Sequence, residues 1–209
     1  MGWTFYNSNG QRLSSAATNI SVLDIDGATD IGAAIVDADL FIIDDGAGGT
    51  NRKTTASRLK TYTSPDISCR VYNSGNQTIS NATWTDLTFD SELYDTDTMH
   101  DTSSNTNRIT FTTAGVYVVS AHVYWTAGTT SDRFVAIQHT QTSGTTYIAV
   151  QHASVTAVIG GMEMSVAAVA KFAASDYVTM QVTHNQGSNL DTIATAHYGS
   201  YFGAAKILG

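Results

Sequence analysis

The chain is short of cysteine, proline, charge and long apolar runs, and each shortage removes a class of protein. Cys69 is the only cysteine among 209 residues, so no intrachain disulfide and no cysteine-built zinc cluster can form. Charged residues make up 13%, about half the usual share. Helical proteins normally carry more glutamate and lysine, so the composition disfavours them. Lysine and arginine number 10 against 18 acids, a formal net charge of -8. Wrapping a nucleic-acid backbone is not expected, because that affinity comes mostly from basic side chains displacing counterions. No stretch approaches the ~20 apolar residues that cross a bilayer, so membrane insertion is not expected. The opening "MGWTFYNSNGQRL" has neither a basic lead-in nor an apolar run. It reads as a short arm with a turn at Asn7 to Gly10, not as a signal peptide.

What is present is threonine, serine, asparagine and glycine, and a sharp division of charge. Asp24, Asp26, Asp30, Asp37, Asp39, Asp44 and Asp45 fall within residues 24–45, which hold no base. Arg52, Lys53, Arg58 and Lys60 follow at once, and five basic residues remain for the rest of the chain. The lone proline, Pro65, sits in the polar run "YTSPDIS", a natural extended joint. Two parts are expected: residues 1–64 and residues 65–209.

Beyond Pro65 apolar residues recur with period two, the signature of strands. In "VYVVSAHVYW" Tyr117, Val119, Ala121, Val123 and Trp125 share one face. In "MEMSVAAVAKF" Met162, Met164, Val166, Ala168, Ala170 and Phe172 do the same, with Glu163, Ser165 and Lys171 opposite. In "DYVTMQV" Val178, Met180 and Val182 point one way. Turn signals separate these runs at Ala114-Gly115, Thr126 to Asp132, Ser143-Gly144, Gly160-Gly161 and Asn185 to Asn189. The pattern predicts an all-β, antiparallel sandwich or barrel.

The stretch "IIDDGAGGTNRKTTASRLK" (42–60) invites comparison with a phosphate-binding loop. That loop needs glycine, four free positions, then Gly-Lys-Ser/Thr. Here Arg52 precedes Lys53-Thr54 and Ala47 stands at the first glycine's place, so no nucleotide site is expected. A hairpin is expected instead, with "DLFIID" and "TNRKTT" as its strands and the glycines in its turn. A short helix should follow over "TASRLKTY", capped by Thr54 or Thr55.

Residues 23–62, "LDIDGATDIGAAIVDADLFIIDDGAGGTNRKTTASRLKTY", resemble a segment that recurs in structural proteins of tailed bacteriophages, notably tail-fibre and other virion-surface proteins. The second part carries another resemblance. "RITFTTAGVYVVSAHVYW", with Phe111, Gly115 and Tyr117, is similar to the globular heads of complement component 1q and tumour-necrosis-factor-like proteins. "ASDYVTMQV" and the closing "SYFGAAKIL", with Phe202, Gly203 and Leu208, match the same pattern, and "WTDLTFDSELYDTDTMHD" resembles its phage and bacterial branch. Over about residues 67–209 this resemblance implies a jelly roll of about ten strands that assembles as a trimer, with aromatic residues around the threefold axis. The animal relatives' calcium ligands find no residue-by-residue match here.

Candidate sites are few. His100, His122, His139, His152, His184 and His197 stand 13 or more residues apart, unlike the paired ligands of zinc sites. Structural or surface roles are expected, with His122 the one that threefold symmetry would gather. Asp95, Asp97, His100 and Asp101 cluster in "YDTDTMHD", yet the glycine and terminal glutamate of a calcium loop are missing, as they are in "DIDGATD" (24–30). Solvated acidic loops are expected, and no cofactor. Glu92 and Glu163 are the only glutamates and no Gly-x-Ser-x-Gly elbow occurs, so no catalytic residues are assigned. Trp3, Trp84 and Trp125 are expected as core or interface anchors.

These observations predict a non-enzymatic bacteriophage virion protein: a trimeric jelly-roll knob displayed on the particle surface and made in the bacterial host cytoplasm. Phe111, Tyr117, Val119, Val123, Trp125 and Phe202 are assigned to core or trimer packing. Residues 1–64 are assigned to docking on capsid or tail proteins, through Asp44, Asp45, Arg52, Lys53, Arg58 and Lys60. Capsid decoration, as a cement protein or head fibre, is expected first. A tail adhesin that binds a host-surface glycan or protein is the alternative, and a polysaccharide-degrading enzyme comes last.

Overall fold

The structure is a computed structural model that describes residues 5–6, 12–13, 30–44, 51–63, 66–157 and 159–208. The chain divides into two compact units, Met1–Ser64 and Pro65–Gly209.

In the first unit β1 (Phe5–Tyr6) pairs with β2 (Arg12–Leu13), and β3 (Leu40–Asp44) pairs antiparallel with β4 (Asn51–Thr55). Lys53 and Thr54 lie opposite Ile42 and Phe41 in this ladder, so the suspected phosphate loop is the return strand of a hairpin. Helix α1 (Ala56–Thr63) follows without a break. Thr55 precedes it, as expected of a cap, but its Oγ1 pairs with Ser57 Oγ at 2.8 Å. The amides of Ala56 and Ser57 donate instead to the carbonyls of Asp39 and Asp37, at 2.8 and 3.4 Å. A folded-back turn thus supplies the acceptors that a helix start requires.

The second unit is a sandwich of two antiparallel sheets. Its strands are β5 (Ser68–Tyr72), β6 (Gln77–Ile79), β7 (Thr85–Asp86), β8 (Ser91–Asp95), β9 (Arg108–Thr110), β10 (Gly115–Trp125), β11 (Ser131–Gln141), β12 (Gly144–Val155), β13 (Met162–Phe172), β14 (Tyr177–His184), β15 (Leu190–Thr192) and β16 (Tyr201–Leu208). One sheet runs β6-β15-β10-β16-β5-β8, with β13 on the other side of β10 along its whole length. The other runs β12-β11-β14-β7, with β9 also on β14. Strands consecutive in sequence therefore switch sheets repeatedly, as a jelly roll demands. Among the described residues of this unit twelve strands occur, where about ten were expected. The short β6, β7, β9 and β15 lie in stretches without a long alternating pattern.

The core fills the space between the sheets. β10 alternates buried and half-buried along all eleven residues. Tyr117, Val119, Val123 and Trp125 are each fully buried, as are Phe111 and Phe202. Phe111 stacks on Phe172 at 3.9 Å and meets Tyr117 at 4.7 Å. All six residues assigned to core or trimer packing thus lie in the core of a single chain. Any aromatic at a threefold axis must come from the outward faces. Tyr117 also donates its hydroxyl to the Thr113 carbonyl at 2.6 Å, and burial pushes its pKa up to about 12.

Candidate functional site

The outer face of the seven-stranded sheet is the first candidate. Cross-strand partners share a face, so register assembles it in rows. Val169, Val118 and Ala205 form one row across β13, β10 and β16. Ala167, Ser120, Gly203, Arg70 and Tyr94 form the next, reaching β5 and β8. Ser165, His122, Tyr201 and Tyr72 form a third. The middle row is small where the strands are central, so the face sinks there into a groove of about 220 Å³. A Cβ on Gly203 would sit 3.0 Å from the Cys69 carbonyl oxygen, tighter than ordinary packing.

Around this groove the rings are fixed. The Arg70 guanidinium lies 4.1 Å from the Tyr201 ring centroid, and His122 stacks on Tyr201 at 5.0 Å. His122 Nδ1 meets Ser165 Oγ at 2.8 Å. Desolvation lowers the His122 pKa, Glu163 opposes that, and Arg70 adds to it. Val169 at the rim is 65% exposed and Tyr94 is 47% exposed. The three rows are apolar or neutral apart from the engaged Arg70, and Lys171 and Glu163 stand on the same face at its two ends.

A second cluster has the residue types of a hydrolase without the arrangement. Asp132 of β11 receives hydrogen bonds from the Ser154 hydroxyl and from Asn185 Nδ2 (3.0 Å), and meets His152 Nε2 at 3.1 Å. His152 Nε2 also lies 3.4 Å from Ser154 Oγ. A working triad places histidine between serine and acid, one ring nitrogen for each. Here one nitrogen faces both, and the serine donates straight to the carboxylate. The three acceptor contacts hold the Asp132 pKa down to about 2, the Ser154 hydroxyl contributing most. Such an aspartate ties strand ends together and does not orient a base.

Three of the other histidines are structural, and His197 is exposed. His100 Nδ1 meets Glu92 Oε1 at 3.0 Å and its Nε2 meets the Thr106 carbonyl at 3.3 Å. His139 Nε2 meets Asp176 Oδ2 at 3.0 Å, and His184 Nε2 meets the Ile79 carbonyl at 3.1 Å. In the acidic loop, Asp95 accepts from the amides of Asp97 and His100, and Asp101 Oδ1 from those of Ser103 and Ser104. Asp97 accepts from the Thr112 hydroxyl. The carboxylates serve their own loop. Among the described residues, no group of three or more His, Cys, Asp or Glu is placed to hold a metal ion.

Of the residues assigned to docking, Arg52, Lys53, Arg58 and Lys60 are exposed. Asp44 ends β3, and Asp45 and the "DIDGAT" stretch lie outside the described residues, as does Trp3. Periodicity did not reveal how apolar the first unit's surface is: Ile35, Leu40, Ile42 and Tyr62 are 59–84% exposed. Trp84, expected as an anchor in a core or interface, is 44% exposed on the outer face of the five-stranded sheet. It precedes a two-residue strand, where alternation says little about side. Arg133 gave no sequence signal either. It is fully buried, stands 5.9 Å from the Trp125 ring, and both its Nη atoms lack a hydrogen-bond partner among the described residues.

No protein-family model and no curated protein matches the chain. Among solved structures, murine APRIL at pH 5.0 matches with a TM-score of 0.55 at 10% identity, over 68% of this chain and 99% of that one. Murine APRIL at pH 8.0 gives 0.54 with the same identity and coverage. Eiger TNF from S. frugiperda is 16% identical over 69% of this chain and 94% of its own, with a TM-score of 0.47. With its two antiparallel sheets, the chain has the TNF-like jelly-roll fold.

Proposed function

We propose that this chain is a non-enzymatic structural protein of a bacteriophage particle surface, a trimeric knob docked through residues 1–64. The observation that carries the assembly is the outer face of the seven-stranded sheet. Its rows of Val169, Val118, Ala205, Ser120 and Gly203 present apolar and small side chains around a groove, with Tyr94 and Tyr201 beside it. A contiguous surface of that kind is what copies of a chain bury against one another. His122 and Tyr201 then face the neighbouring copies.

Docking is supported by the exposed apolar residues of the first unit beside Arg52, Lys53, Arg58 and Lys60. Apolar area supplies affinity in such a contact, and the charges supply register. The virion setting is supported by the resemblance of residues 23–62 to phage virion-surface proteins and of residues 84–101 to the phage and bacterial branch of the complement component 1q and tumour-necrosis-factor-like pattern. Capsid decoration is the first placement, for which a short anchor and a knob suffice. The exposed Trp84 and Tyr147 favour the second, a tail adhesin.

Copies per purified particle, counted by quantitative mass spectrometry, test the reading. Hundreds place the protein on the capsid, and a few to a few dozen place it on the tail. Absence from purified particles overturns the virion role.

A further inference from the structure

We propose that the outer face of the five-stranded sheet is a binding platform for a neutral saccharide. Phe134 on β11 pairs with His152 on β12, and their rings stack at 4.3 Å, 11° from parallel. The Trp84 ring lies 5.8 Å from Phe134 and 5.8 Å from Tyr147. Trp84 and Tyr147 remain 44% and 46% exposed, while Ala136, on the same face of β11 as Phe134 and paired with Val150 and Gln181, is fully buried. A small residue at that place lets large rings lie down on the sheet. They form an aromatic floor: Phe134, Tyr147 and His152 stand on the long strands β11 and β12, and Trp84, just before β7, is held against Phe134 and Tyr147 by ring contacts.

Beside the floor runs a row of polar groups whose positions are already set. The Tyr147 hydroxyl donates to Gln181 Oε1 at 2.7 Å, and Gln181 Nε2 donates to Asp86 Oδ1 at 2.8 Å. Asn107 Nδ2 donates to Asp86 Oδ2 at 2.8 Å. A pyranose ring has two unlike surfaces, a C–H face that packs on an aromatic ring and a rim of hydroxyls that pair with amides and carboxylates. The platform offers both at once, and its groups are ordered before any ligand arrives.

Charge selects within that class. Asp86 is the fixed charge in the polar row. The nearby Arg108 is stacked on Tyr177 at 4.7 Å, and the chain carries a net charge of -8. A sialylated or phosphorylated sugar would bring its anion to a carboxylate with no cation held ready for it. A protein partner would favour a face whose centre is depleted of charge, which this row is not. The platform lies on the opposite sheet from the assembly face and rests on neither the trimer nor the particle.

The test is binding of the full chain to a printed array of neutral and sialylated oligosaccharides, with affinities of the hits measured by calorimetry. Trp84→Ala and Tyr147→Ala should each weaken binding to a neutral oligosaccharide by about tenfold or more while melting as the parent does. Tyr147→Phe, which keeps the ring, should weaken it less. A chain that binds no neutral oligosaccharide, binds only anionic ones, or binds equally well without Trp84 overturns the proposal. So does a change of sedimenting mass in Trp84→Ala, which would make the platform a contact between copies. A monomeric chain, or one absent from particles, would leave the binding result standing.

Discussion

Cys69 and Asp132 show how position sets chemistry at the scale of one residue. Cys69 is 1% exposed, and burial, with Asp95 beside it, pushes its pKa up to about 12. The thiolate is the reactive form, so a disulfide-exchange reagent should leave the native chain unmodified at pH 8 and modify it fully in denaturant. Rapid native labelling would contradict this burial. Asp132 behaves in the opposite way. Its pKa of about 2 when folded lies below the ~3.9 of an unfolded aspartate. The carboxylate binds protons more readily in the unfolded chain, so its stabilising contribution is full above pH ~3.9 and vanishes as pH falls through about 2. Asp132→Asn should therefore melt below the parent at neutral pH, with the gap closing on acidification. A gap that is constant from pH 6 to 2 would show that the carboxylate's charge is irrelevant there.

At the scale of the element, β10 is the spine of the fold. It pairs with β13 along one edge and β16 along the other, and its inward residues line the core. Val119→Asp would force a carboxylate into that layer and should cost at least about 3 kcal/mol, enough to prevent cooperative folding. Val118→Thr on the opposite side of the same strand should still fold cooperatively. A cooperatively melting Val119→Asp chain would mean that the inward and outward faces are wrongly assigned. Gly161, which leads into β13, constrains the same region. Its φ is +98°, and a Cβ there would lie 2.6 Å from the Tyr124 ring and 2.7 Å from the Trp125 carbonyl oxygen. Both conformation and space require glycine at this turn.

At the scale of the whole molecule the proposed assembly makes its own prediction. Val169 is 65% exposed in the single chain, so Val169→Arg should not disturb the fold of a lone copy. In the trimer it would bury an unpaired charge. Light scattering should report three chains for the parent and one for the variant, with the β-sheet circular dichroism spectrum retained. A parent that is monomeric at micromolar concentration would remove the assembly.

Alternation alone determined that the second part of the chain is an antiparallel sandwich or barrel, and it placed Tyr117, Val119, Trp125, Phe172 and Val182 on inward faces. A strand's period of two turns a list of residues into two faces without any knowledge of the neighbours. The hairpin and helix of the first unit were legible too, from glycine at the turn and a threonine before the helix. Tertiary structure decided which strands lie side by side, and hence what stands next to what on each outer face. Arg70 meets Tyr201, Trp84 meets Phe134, and Asp132 meets Ser154 only because strands 22 to 131 residues apart share a sheet edge or a register row. Those pairings depend on the order of strands, which no local pattern encodes, so the candidate surfaces became visible only in the folded chain.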